Sequence, residues 1–134
     1  RLSLLERLSF PTGNVPAVFL QCPQVHNGDM PNSNPVSAWK ALRQGNERFV
    51  SDVSVHPSQG INDRAKLVAE QHPTAVIFGC GDSRVAAEII FDQGLGDMFV
   101  VRTAGHVVDT AVLGSIEYAV DILDVPLVVI LGHD

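Results

Sequence analysis

The chain has 134 residues, 46% of them hydrophobic and 18% charged, with a formal net charge of −6. That balance suits one globular domain and argues against general disorder. The acidity leaves no broad basic footprint for nucleic acid or anionic lipid, and no apolar run reaches the length of a membrane span.

Residues 1–29 carry Pro11, Pro16, Pro23, Gly13 and Gly28, a spacing that breaks long elements. They read as an extension expected to be poorly ordered, or an arm on a partner. The stretch "VPAVFL" is too short for a signal sequence. Met30 then opens a domain over residues 30–134. Cys22 and Cys80 are too few for a disulfide framework, so reduced thiols in a cytoplasmic protein are expected.

Asn34 before Pro35 marks a helix start, and Val36, Trp39, Leu42, Phe49 and Val50 predict an amphipathic helix over 35–50. Residues 51–60 read as loop. A second helix is predicted over 62–71, closed by His72-Pro73. "TAVIFG" (74–79) is a short buried strand. "DSRVAAEIIFDQG" (82–94) reads as a helix that Gly94 closes. "DMFVVRTAG" (97–105) is a second strand, 109–124 a helix, and "VPLVVILG" (125–132) a third strand. Strands alternating with helices predict an α/β fold: a parallel sheet with crossover helices in three layers, preceded by N-terminal helices.

In such sheets the chemistry gathers at the carboxyl ends of the strands. Three polar clusters fall there: Cys80-Gly81-Asp82-Ser83-Arg84, Arg102-Thr103-Ala104-Gly105-His106 and His133-Asp134. The first begins like a dinucleotide fingerprint, but Arg84 stands where the third glycine belongs. A nucleophilic Cys80 is the second reading, since a helix N-terminus lowers a thiol's pKa, although a phosphatase-like donor loop would be longer. Isolated, Cys80 would read as a small buried hydrophobe. A metal is the third reading: Cys80 and His133 offer a thiolate and an imidazole suited to zinc, with Asp82 a further ligand or held off by Arg84. His106 competes with His133 but has no cysteine beside it in sequence. His26, His56 and His72 read as solvated.

"CGDSR" (80–84), "VVRTAGHV" (100–107) and "VVILGHD" (128–134) resemble, in order and spacing, the signature blocks of β-class carbonic anhydrases of mycobacterial type. The resemblance covers roughly residues 31–134. It implies zinc held by Cys80 and His133, with Asp82 and Arg84 as a dyad beside the metal. Arg84 draws Asp82 away in an open form, and Asp82 binds zinc in a closed one. It implies reversible hydration of carbon dioxide to bicarbonate, and a homodimer or dimer-based tetramer with N-terminal helices exchanged between subunits. Carbon disulfide hydrolases share the scaffold, and a non-catalytic assembly module of the same fold is the other alternative. The resemblance also implies a cysteine ligand three positions after His133. The sequence given runs one position past it, so this chain by itself is expected to hold zinc weakly or to be inactive. The helix that would cover the third strand is likewise expected to be missing, leaving an apolar sheet face open.

Overall fold

The computed structural model describes the backbone of residues 2–10 and 13–21, and residues 34–134 with their side chains. Cys22 and Met30 lie outside the described residues. Strands β1 (Leu2–Phe10), β2 (Gly13–Gln21), β3 (Ala75–Cys80), β4 (Met98–Thr103) and β5 (Leu127–Leu131) form one sheet in the order β1-β2-β5-β3-β4. Helices α1 (Pro35–Val50), α2 (Ile61–Lys66), α3 (Ala87–Ile90) and α4 (Thr110–Asp121) connect them, and Ala104–His106 form a 3-10 turn after β4.

β4, β3 and β5 run parallel, as the alternation of strands and helices predicts. β3 lies between the other two and is buried along its whole length, which explains its unbroken apolar sequence. One face carries Ala75, Ile77, Leu127, Val129 and Leu131, packed against Ala38 and Leu42 of α1 and Ala87 and Ile90 of α3. The other carries Val76 and Val128, packed against Ala119 of α4. Helices therefore cover both faces, and the chain is a three-layer α/β structure.

Several expectations are corrected. The segment expected to be broken by prolines contributes β1 and β2, an antiparallel pair. β2 joins β5 only through Ala17–Gln21, so Pro16 lies just outside that ladder, where its missing N–H costs no bond to β5. β5, expected to leave an open face, is covered by the two helical layers, and its edge is taken by β2. Trp39, Leu42 and Phe49 of α1 pack on this chain's own core. Helix α2 ends at Lys66, five residues short of its predicted end.

The predicted helix over 82–94 shrinks to the four residues of α3. Asp82 spends its carboxylate on the Arg84 N–H, at 2.9 Å, which makes residues 82–84 a turn. At the far end Asp92 adopts a φ of 47°, outside the helical region, and stops the helix. Its carboxylate is buried and accepts from Arg48 Nε at 2.6 Å, the Val55 N–H at 3.0 Å and the His56 N–H at 2.9 Å. Burial alone would push this carboxyl up. The Val55 N–H, Arg48 and the His56 N–H together outweigh burial and hold it below the usual carboxylate range.

α1 approaches α3 closely because residue 45 has no side chain. A Cβ there would fall on the Phe91 carbonyl, which is backbone and cannot rotate away. Next to it the buried Asn46 amide donates to the Ile90 carbonyl at 3.2 Å. Gly45→Ala is therefore expected to cost about 1–2 kcal/mol by forcing the two helices apart, even though alanine favours helix. A urea midpoint equal to or above that of the parent would contradict this packing.

Candidate metal centre

The parallel register brings the three polar clusters to one sheet edge. Gly79 of β3 is level with Arg102 of β4 and with Leu131 of β5, and Cys80 is level with Thr103. Cys80 thus ends the central strand, and His133 follows β5 by two residues. The polypeptide after β4 turns sharply through Gly105 and His106, at φ 62° and 57°. A left-handed glycine at 105 turns its N–H onto the Cys80 sulfur.

Cys80 is buried and outside any disulfide. His133 shares a hydrogen bond with its thiol, and the Asp82 N–H, at 3.4 Å, and the Gly105 N–H also point to the sulfur. These partners, His133 first, lower the thiol to about 7 against the opposing effect of burial. Reciprocally, Cys80 and then the Asp134 main-chain oxygen raise the His133 imidazole above its ordinary value. That oxygen lies 3.1 Å from Nδ1, which therefore donates and leaves Nε2 as the nitrogen for Cys80 or, in the neutral ring, for a metal.

Asp82 faces another way. Arg84 grips it bidentately, with Nε 3.0 Å from Oδ1 and Nη2 2.7 Å from Oδ2. Arg84 holds the carboxyl far below the usual range, and Asp82 raises the guanidinium in return. The structure thus brings Cys80 to His133 and Asp82 to Arg84. Among the described residues no group of three His, Cys, Asp or Glu side chains converges. A thiol poised to ionise, hydrogen-bonded to an imidazole, fits zinc as a donor pair that a metal could bridge.

Two residues at this edge act differently from expectation: Arg102 had no predicted role, and His106 was weighed only as a rival ligand to His133. Arg102 donates through Nε to the Cys80 carbonyl at 2.8 Å and through Nη2 to the Asp82 carbonyl at 2.6 Å. His106 bonds the Leu131 carbonyl through Nε2 at 2.8 Å, and its ring stands edge-on to Phe78. The block "VVRTAGHV" signalled that this loop matters, but not which carbonyls it reaches.

The family model described as carbonic anhydrase matches residues 75–134, the stretch that carries all three clusters. Carbonic anhydrase of Mycolicibacterium smegmatis is 76% identical over 105 residues, covering 78% of this chain and 51% of that protein. Over residues 75–134 the chain belongs to the carbonic anhydrase family. Carbonic anhydrase 2 of Mycobacterium tuberculosis is likewise 76% identical over 105 residues, with the same shares of each chain covered. The chain spans about half the length of the curated carbonic anhydrases it matches. Among solved structures, the β-carbonic anhydrase CcaA aligns at 27% identity with a TM-score of 0.47, covering 65% of this chain and 44% of that one.

Proposed function

We propose that this chain supplies the centre of a zinc-dependent enzyme that hydrates carbon dioxide reversibly to bicarbonate and a proton. The observation that carries the reading is the meeting of Cys80 and His133 at the sheet edge, while Arg84 keeps Asp82 out of that pair. Zinc, when bound, supplies the Lewis acidity that makes water a nucleophile near neutral pH. Cys80 would hold it as a thiolate and His133 through Nε2. Asp82, kept ionised by Arg84, accepts a hydrogen bond from the attacking water and orients its lone pair toward the substrate carbon.

Catalytic zinc commonly has three protein ligands, and two donors converge among the described residues, so those two alone would hold zinc weakly. The deciding assay is therefore stopped-flow hydration of carbon dioxide with zinc in excess. A zinc-dependent rate supports the reading, and its absence at saturating zinc rejects it.

The Asp82–Arg84 pair gives a sharper test. Arg84→Ala frees the carboxylate to bind the metal, so zinc affinity rises while the hydration rate falls by about 10²-fold, the lower range for a positioned proton acceptor. A variant in which both quantities fall together would instead assign Arg84 a structural role.

No helix among the described residues is long and apolar enough to cross a membrane. A cytoplasmic, homo-oligomeric protein, a homodimer or a dimer-based tetramer, completes the proposal. The exposed Val107, Val108 and Leu113, which follow β4 and its turn in sequence, support an oligomer by offering apolar surface to a second subunit.

A further inference from the structure

The two proposed ligands sit on different strand ends. Cys80 closes β3 and His133 follows β5, with a coil-like tail between Leu131 and the histidine. The ladder that joins these two strands ends at Gly79↔Leu131, short of both ligands, while Cys80 is paired on its other side with Thr103 of β4. The loop after β4 provides no ligand in the reading above, yet it reaches both ends. Arg102, at the end of β4, forks across the carbonyls of Cys80 and Asp82. His106, four residues later, takes the carbonyl of Leu131. A carbonyl only accepts, so His106 carries its proton on Nε2 in this bond. The Gly81 N–H completes the attachment by donating to the Thr103 carbonyl at 2.8 Å.

We propose that Arg102 and His106 are positioning residues that latch the Cys80 turn and the end of β5 to one loop and so set the spacing of thiol and imidazole. The proposal rests on the reading of Cys80 and His133 as ligands. Arginine suits its place because a rigid fork can satisfy two carbonyls of one turn at once, and lysine cannot match that geometry. At 106 the requirement is a single donor at the distance of Nε2, which a glutamine amide also supplies. Without the latch the two ends keep their strands but lose their mutual register at the site.

Hydrogen–deuterium exchange on the metal-free protein tests the latch directly, and zinc competition tests its purpose. In Arg102→Gln, exchange over residues 79–84 is expected to rise about tenfold, and in His106→Leu the same rise is expected over 130–134. Exchange over 75–78 and the thermal midpoint stay close to the parent values. Zinc affinity falls about 10–100-fold in both variants, as for other residues that orient metal ligands. His106→Gln recovers most of that loss, and Arg102→Lys, which also serves if Arg102→Gln fails to fold, recovers only part.

Unchanged exchange in both segments overturns the proposal. A uniform rise across the sheet overturns it as well, because that would mark a general stabilising role. If the parent chain takes up no zinc, the metal reading falls, while the exchange comparison still decides whether the latch exists.

Discussion

Cys80→Ala is expected to abolish measurable zinc uptake, lowering affinity by more than about 100-fold, beyond the range seen when an outer partner of a ligand is removed. The reason is chemical. Cys80 is the one thiol among the described residues, and its neighbours already favour the thiolate that a metal requires. The fold itself should tolerate the change, since alanine fits a small buried position at a strand end. Competition against a chromophoric chelator measures the first quantity and thermal unfolding of the metal-free protein the second. Retained affinity in the variant would move the metal elsewhere in the molecule, and the hydration reading would lose its centre.

The largest effect on stability is expected far from that site. Asp92→Ala should cost about 3 kcal/mol, near the low end for breaking a buried pair because Arg48 keeps access to water. Two donors, the Val55 and His56 N–H groups, would lose their acceptor as well. Thermal unfolding should shift down by roughly 10 °C. Alanine also adds strain at a positive φ, so Asp92→Asn, which tolerates that conformation, isolates the loss of charge.

The pH dependence follows from the depressed carboxyl. The folded state holds Asp92 ionised at pH values where the unfolded chain has begun to protonate it. Its contribution is complete above the ordinary aspartate range near 3.9, and it fades as pH falls through that value toward the lower folded one. The difference between parent and Asp92→Asn should therefore be constant near neutrality and narrow in acid. A gap that widens on acidification would contradict the burial and bonding described for this residue.

The residues that carry local patterns were legible before the structure. β3 and β5 announced themselves as apolar runs, and Asn34-Pro35 placed the start of α1 to the residue, with Asn34 Oδ1 accepting the Val36 N–H at 2.9 Å. Cys80, Asp82, Arg84 and His133 stood out by residue type at strand ends. What stayed hidden depends on distant partners. Residues 82–86 have the composition of a helix start, but the turn made by the Asp82 carboxylate overrides it. Arg102 and His106 act on carbonyl oxygens 20 or more positions away, and a carbonyl has no signature in a sequence. The part played by Asp92 was invisible because nothing near it in sequence reveals the Arg48 that reaches it from α1. β2 was hidden by its proline, whose cost depends on where the ladder stops.

The order of the sheet has a consequence for how the chain is made. β2 lies at residues 13–21 and its partner β5 at 127–131, and β5 is also the neighbour of β3. During synthesis the first strands emerge long before the strand that joins them to the rest. At about 5–20 residues per second, several seconds separate the two. Until β5 emerges, β2 and, from about half-way, β3 each present an unsatisfied edge to the cell. Closing so long a loop is also slow compared with local helix formation. Newborn chains should thus depend on chaperones more than the size of the domain suggests, and β5 acts as the keystone of the sheet.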